Sequence, residues 1–329
     1  MEATNSTFGK FRTCSGVEIS IDVVADIAKK AGAAIMEVYN DTPLNEWSKI
    51  ADFKADGSPL TVADKRANDI ICSALLKEYP TIPIMSEENA EDPYEVRRKW
   101  KEFWCVDPLD GTKEFIKRNG QFTVNIGYVQ GQTPMAGVVY VPATSTMYKG
   151  VKGLGPPVKE TDDEVGYDSY KSIFCAQFKE TDANLKIVAS ASHNTPETEA
   201  FVSRFDSPEL KSYGSSLKLL MIAEGSAHIY PRMAPTMEWD TCAAHAIVDC
   251  AGGEVLQYEG GPACDNGAPV VYNKEDTHNP FFVVYGKRDK PKPYDGPTFG
   301  GSGAKLLLIT FVVAPLAVGL VAFVLGVAE

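Results

Sequence analysis

The sequence of 329 residues predicts a mixed α/β fold. Three observations point there. Ile21 to Tyr39 and the run from Glu238 to Ala251 carry apolar side chains at helical spacing. Thr123 to Val129 and Met135 to Val141 are β-rich apolar runs joined by Gln130-Gly131-Gln132, the pattern of a hairpin. Just upstream, Phe103 to Val106 is a short apolar run bounded at once by a Pro and a Gly, as a buried strand ending in a tight turn would be. An apolar content of 44% is ample for a core.

Taken in order, residues 1–15 are polar and rich in Ser and Thr, and read as a disordered lead-in without the apolar stretch of a signal peptide. A weak organelle transit peptide is the alternative. The first helix packs through Val23, Val24, Ile27, Ala31, Ala34, Ile35 and Val38. Asp56-Gly57 and Pro59 make a turn, and Thr61 or its neighbour opens a helix stopped by Pro80. Asp64 falls in its first turn, where the helix dipole alone favours a carboxylate. Ile82 to Met85 forms a short strand delivering Ser86-Glu87-Glu88. Of two adjacent acids, one can turn inward to a metal while the other faces solvent.

Residues 150–172 are rich in Gly, Pro and acid and read as a surface loop at the seam of two lobes. Leu185 to Ala189 is a strand, followed by Ser192-His193 and by Pro196 at a first helical position. Gly214-Ser215-Ser216-Leu217-Lys218 opens a helix running to Glu224. Small hydroxyl residues at a helix start suit either an anion or plain capping. Ala227 to Tyr230 is a strand leading to Arg232. Glu238-Trp239-Asp240-Thr241 opens a helix that Gly252-Gly253 stops, and Asp240 can serve there as a cap. Glu254 to Val284 reads as strands with turns. These spans give a domain over 16–286, with lobes at about 16–155 and 156–286, and a Lys/Pro/Gly-rich linker over 287–305.

The chemistry concentrates in Asp107-Pro108-Leu109-Asp110-Gly111-Thr112. Two carboxylates at a strand end, beside a Gly that lets backbone come close, suit a hard cation and a phosphate. The same residues can also form an Asp-rich turn with Asp110 or Thr112 capping a helix. The seven cysteines are odd in number and lack any CxxC pair, which indicates reduced thiols. Four scattered histidines without HxxxH spacing argue against a zinc hydrolase. A net charge of −12 argues against a nucleic-acid polymer as partner. It leaves room for a small anionic substrate if a bound metal supplies positive charge.

Leu306 to Ala328 carries no charge. As a helix it would extend roughly 34 Å, against a bilayer core of about 30 Å. Lys287, Arg288, Lys290, Lys292 and Lys305 precede it, and only Glu329 follows. The expectation is a transmembrane tail over 306–328 that anchors a cytosolic domain to a lipid bilayer. An apolar tail packed on a partner is the alternative.

The motif Asp107 to Thr112, the upstream Ser86-Glu87-Glu88 and the downstream Trp239-Asp240 resemble the three signatures of the inositol monophosphatase superfamily, magnesium-dependent and lithium-sensitive phosphatases. Lys113-Glu114-Phe115-Ile116, Gly214 to Lys218 and Tyr230-Pro231-Arg232 resemble its 3'(2'),5'-bisphosphate nucleotidase branch, especially the bacterial type. The resemblance covers roughly residues 20 to 286. It implies a layered α-β-α-β-α sandwich with the site between two lobes. It implies two or three Mg²⁺ held by Glu87, Asp107, the Leu109 carbonyl, Asp110 and Asp240. Asp64, Thr112 and Glu87 would then be catalytic, with the Asp64–Thr112 pair orienting the attacking water. Gly111 and Thr112 would hold the scissile phosphate, and His193, Ser215, Lys218, Arg232 and Asp240 the rest of the substrate. The implied activity is hydrolysis of adenosine 3',5'-bisphosphate, and also of 3'-phosphoadenylyl sulfate, by a monomer serving sulfur metabolism. Inositol monophosphatase or inositol polyphosphate 1-phosphatase activity is the alternative within the superfamily, and a catalytically silent membrane-anchored binding protein the alternative outside it. Ala191 stands where an Arg is usual in that branch, and Pro262-Ala263-Cys264-Asp265-Asn266 departs from the usual pattern there.

Overall fold

A computed structural model describes residues 9–42, 51–53, 59–162, 168–190, 195–260 and 267–289. All lie in the first of the two units into which the contacts divide the chain, Met1–Lys290. Helix α1 (Ile21–Asp41) buries Val24, Ile27, Ala28, Ala31 and Ile35, one face at helical spacing. Helix α2 (Val62–Glu78) is fixed at its start by Thr61, whose hydroxyl accepts from Ala63 N at 3.1 Å while Asp64 reaches back to Thr61 N at 2.8 Å. α1 and α2 pack together over one face of a sheet.

That sheet has seven strands: β1 (Ile84–Ser86), β2 (Glu102–Asp110), β3 (Thr123–Gln130), β4 (Thr133–Val141), β5 (Thr146–Val151), β6 (Val158–Asp162) and β7 (Asp168–Ser172). They lie side by side in sequence order; β1 pairs parallel to β2 and every other pair is antiparallel. The short helix α3 (Thr112–Ile116) follows β2 after the turn at Gly111. A second sheet contains β8 (Lys186–Ser190), β9 (Glu209–Tyr213), β10 (Ile229–Arg232), β11 (Glu254–Gln257) and β12 (Phe282–Tyr285) in the order β9-β8-β10-β12-β11. Between the sheets lie α4 (Leu217–Ala223) and α5 (Glu238–Cys250). The helix Pro196–Val202 covers the far side of the second sheet through Phe201. The layers therefore run α-β-α-β-α, the mixed fold expected of the sequence.

A row of glycines sets how closely α5 approaches the first sheet. Gly127, Gly137 and Gly150 face one another across β3, β4 and β5. A Cβ on Gly127 would come within 2.5 Å of Cys242 Sγ, one on Gly137 would overlap the Ala243 carbonyl, and one on Gly150 would lie 3.2 Å from Ile247 Cα. The helix lies in a trough that any side chain there would fill.

Two segments differ from expectation. The surface loop expected over 150–172 contains β6 and β7, which extend the sheet. Their sequences, VKETD and DSYKS, are largely polar and lack the apolar alternation that reveals a buried strand; β7 forms the sheet's edge, and β6 lies between it and β5. The disordered lead-in expected through residue 15 does not hold for residues 10–15, because Lys10–Arg12 pairs with Glu18–Ser20 around a turn closed by Gly16 N to Thr13 O at 3.0 Å; residues 1–8 lie outside the described residues. Likewise Lys287–Arg288, assigned from sequence to a linker, pairs with Gln177–Phe178, and Arg288 is held by Glu180 and Glu254. The six described cysteines are free thiols.

Candidate active site

The central acids owe their common direction to an irregularity in β2. In a regular strand, side chains three apart point to opposite faces. Here Asp107 pairs with Asn125, but Asp110 pairs with Thr123, so three steps on β2 match two on β3. The extra residue is a β-bulge, and it returns Asp110 to the face of Asp107. Pro108 sits inside the bulge, where a missing N–H costs no ladder bond. Gly111 follows with φ +92°, in the left-handed region that suits glycine, and a Cβ there would meet Gln121 O at 2.9 Å.

Asp240 arrives from the first turn of α5, where its carboxylate accepts from Met237 N at 2.9 Å. Asp107, Asp110 and Asp240 each place an oxygen within 4.8 Å of the others. Glu87 enters at the end of β1, fixed by Glu87 N to Val106 O at 3.1 Å, and lies beside Asp107. Burial, and then the charges of Glu87, Asp110 and Asp240, hold Asp107 well above the usual carboxylate range. Burial followed by the charges of Asp110 and Glu87 pushes Asp240 up to about 8. Burial also raises Asp110, against the opposing pull of Lys218 and Ser216. Four crowded carboxylates with oxygen donors only are what a hard divalent cation such as Mg²⁺ requires, and not what zinc prefers. The Leu109 carbonyl lies in the same turn, 3.4 Å from Thr112 Oγ1.

Asp64 is buried behind this turn. Its Oδ2 accepts from Thr61 N and Thr61 Oγ1, while its Oδ1 accepts from Thr112 Oγ1 at 3.1 Å. Burial raises its pKa, opposed by the Thr61 bonds. Asp64 thus holds its own helix start through one oxygen and meets Thr112 through the other.

A cavity of about 340 Å³ opens over the acids, lined by Glu87, Asp110, Gly111, Thr112 and Asp240 and also by Ser215, Lys218 and Arg232. Lys218 is buried, donates to Ser215 O at 2.6 Å and lies over the Tyr230 ring. Burial lowers its pKa to about 8, against the raising effect of Asp110. Arg232 donates through Nη2 to Pro235 O at 2.9 Å, and its Nε is buried with no partner among the described residues. His193 and Ala191, and the 262–266 segment, lie outside the described residues.

The helix expected from Gly214 begins at Leu217, and Ser216 makes no side-chain cap. Its hydroxyl instead meets Asp110 Oδ2 at 2.9 Å. Ser216 and Asn125 are the site neighbours that sequence reasoning passed over. Ser216 lay in plain view in a hydroxyl-rich run, read for an anion or for capping and not as a partner of Asp110; Asn125 is a polar residue in an apolar strand, which was the available signal.

The inositol monophosphatase family model matches residues 19–281. The chain belongs to the inositol monophosphatase family. It is 41% identical over 244 residues, 74% of this chain and 92% of the relative, to the 3'(2'),5'-bisphosphate nucleotidase CysQ of Escherichia coli K12. The crystal structure of CysQ from Bacteroides thetaiotaomicron, described as a bacterial member of the same family, superposes with a TM-score of 0.67 at 42% identity, covering 82% of this chain and 97% of that one. A Thermotoga maritima IMPase shares the fold at 20% identity and a TM-score of 0.61, over 81% and 92% of the two chains. As a family member the chain is a phosphatase, a hydrolase.

The membrane placement expected from the tail is corrected here. The family match ends at residue 281, and no helix of the described residues is long and apolar enough to cross a membrane. Residues 306–328 themselves lie outside the described residues. An uncharged terminal run has the length to span a bilayer, but length and hydropathy alone do not say what covers it. The transmembrane helix, the tail-anchored localisation and the bilayer as partner are therefore withdrawn.

Proposed function

We propose that this phosphatase hydrolyses 3'(2'),5'-bisphosphate nucleotides, taking adenosine 3',5'-bisphosphate to AMP and phosphate. The observation that carries the reading is one cavity whose lining combines the acids Glu87, Asp110 and Asp240 with two buried cations, Lys218 and Arg232. A substrate with two phosphates can use both the acid cluster's metal and these side chains; the nucleotidase names of the relatives support the same assignment.

In this reading Glu87, Asp107, Asp110, Asp240 and the Leu109 carbonyl hold two or three Mg²⁺. Bound there, Mg²⁺ would supply positive charge to the phosphoryl oxygens and make a water more acidic. The backbone N–H groups of Gly111 and Thr112 orient the scissile phosphate. Asp64, held by Thr61, keeps the Thr112 hydroxyl aimed so that its oxygen accepts from the attacking water. Lys218 and Arg232 bind the second phosphate, Arg232 with a buried N–H still to be satisfied. Ser215 borders the nucleoside, and His193 is assigned to substrate by family resemblance. The first sheet with α1 and α2 forms one lobe and the second sheet the other.

The test is phosphate release from adenosine 3',5'-bisphosphate and inositol 1-phosphate side by side, with Mg²⁺, with EDTA and with Li⁺. Faster Mg²⁺-dependent, Li⁺-inhibited release from the nucleotide is expected. Preference for inositol 1-phosphate would overturn the substrate assignment while keeping the family.

A further inference from the structure

Ser216 Oγ is buried among three polar partners: Asp110 Oδ2 at 2.9 Å, Asn125 Oδ1 at 2.9 Å and Thr123 Oγ1 at 3.0 Å. A hydroxyl has one hydrogen, so it cannot donate to both the Asp110 carboxylate and the Asn125 carbonyl. At the same time Asn125 Nδ2 is buried with no partner among the described residues. Both difficulties yield to one change. The two ends of an amide have nearly the same shape, and the hydrogen-bond network decides which is which. With the amide turned over, Nδ2 donates to Ser216 Oγ and Ser216 gives its hydrogen to Asp110. The second lone pair of Oγ remains for the Thr123 hydroxyl.

We propose that Asn125 and Ser216 form a directed relay, Asn125 Nδ2–H to Ser216 Oγ–H to Asp110 Oδ2, which positions Asp110 for its cation. The backbone supports the direction. Ser216 N donates to the same oxygen, Asp110 Oδ2, at 2.5 Å. Two hydrogen bonds on Oδ2 leave Oδ1 as the free ligand atom. The bulge brings Asp107, Asp110, Asn125 and Thr123 to one face, so the relay sits beneath the acid cluster. Ser216 also lies between Ser215 and the helix that carries Lys218, and belongs to the second lobe. The relay thus ties the loop beside the second phosphate to an acid of the first lobe, and Ser216 is a positioning residue for metal binding. The proposal rests on Asp110 being a metal ligand.

The test is calorimetric titration of full-length protein with Mg²⁺ alone, in wild type, Ser216→Ala, Ser216→Thr and Asn125→Leu. Losing a partner that orients a ligand typically weakens metal binding by about 10–100-fold. Ser216→Ala should fall in that range, Asn125→Leu should show a smaller loss, and Ser216→Thr, which keeps the hydroxyl, should recover most of the affinity. In steady-state assays the Mg²⁺ concentration for half-maximal rate should rise for Ser216→Ala, with KM for substrate at saturating Mg²⁺ nearly unchanged. Circular dichroism establishes folding, and Asn125→Leu decides the matter if Ser216→Ala does not fold. Wild-type Mg²⁺ affinity in both Ser216→Ala and Asn125→Leu would overturn the relay. A wild type that binds no Mg²⁺ would instead overturn the metal reading on which it stands.

Discussion

Thr112 Oγ1 donates to Asp64 Oδ1 at 3.1 Å, across 48 residues of chain. The hydrogen of Thr112 is thereby committed, and its oxygen is left only to accept. If that oxygen takes a proton-bearing water, Thr112→Ala should lower kcat by about 10²–10⁴-fold, the range of a well-placed proton-transfer group. Thr112→Ser should keep most activity. KM should change little in either. Steady-state phosphate release measures all three, and near-normal turnover in Thr112→Ala would remove Thr112 from the chemistry.

The acid cluster makes the metal-free protein sensitive to pH. Asp240 is raised to about 8, with Asp107 and Asp110 also raised. Raised carboxylates bind more protons in the folded than in the unfolded state, so stability falls as pH rises from their ordinary range through about 8. Thermal melts in EDTA should show that decline. Mg²⁺ should raise Tm more at about pH 8 than at about pH 6, because protons compete with the metal. Asp240→Asn should melt higher than wild type without metal at the alkaline end, while losing Mg²⁺-stimulated activity. A metal-free melt independent of pH over this window would contradict the crowding of these charges.

Lys218 makes a second pH signature. Its charged form is lost as pH rises through about 8 in the free protein. The ratio kcat/KM for the nucleotide, which reports free-enzyme ionisations, should therefore fall on the alkaline side near that value. Lys218→Arg, always charged, should move this limb upward whatever its amplitude. Lys218→Ala should abolish nucleotide turnover but spare inositol 1-phosphate. An alkaline limb unmoved in Lys218→Arg would assign it to another group.

The glycine trough ranks two substitutions. Gly137→Ala places a methyl against the Ala243 backbone and should cost the most, on the scale of about 1–3 kcal/mol for an overpacked core. Gly150→Ala, with 3.2 Å of clearance to Ile247, should cost less. Urea unfolding gives both. Because α5 carries Asp240, Gly137→Ala should also weaken Mg²⁺ binding; equal costs at the two sites would mean that the helix is free to shift.

What the sequence disclosed was whatever is coded locally. The acids stand in one turn with their glycine, and the helix starts at Thr61 and Glu238 are marked by residues three apart. The glycine trough is invisible until register is known, since Gly127, Gly137 and Gly150 become neighbours only through two hairpins. The strands of 158–172 hid because their residues are largely polar and carry no apolar alternation. Ser216 was read within a helix start suited to an anion or to capping, yet a carboxylate is a strong acceptor, and tertiary structure directs its hydroxyl to Asp110. The apolar tail misled for the opposite reason: it is a strong local pattern, and length and hydropathy alone do not say what covers it.

The bulge between Asp107 and Asp110 makes this site sensitive to length as well as to chemistry. One residue added to β3 between Thr123 and Asn125 would match three steps with three, restore the regular pleat and turn Asp110 toward the side occupied by Trp104, Val106 and Leu109, in the apolar layer under α1 and α2. The lost ligand would then also be a buried, unpaired charge. Point replacements in this turn can silence the enzyme and leave it folded; one residue added opposite it cannot. Drift along this lineage can thus rewrite the letters of the loop far more readily than it can change the number of residues that face it.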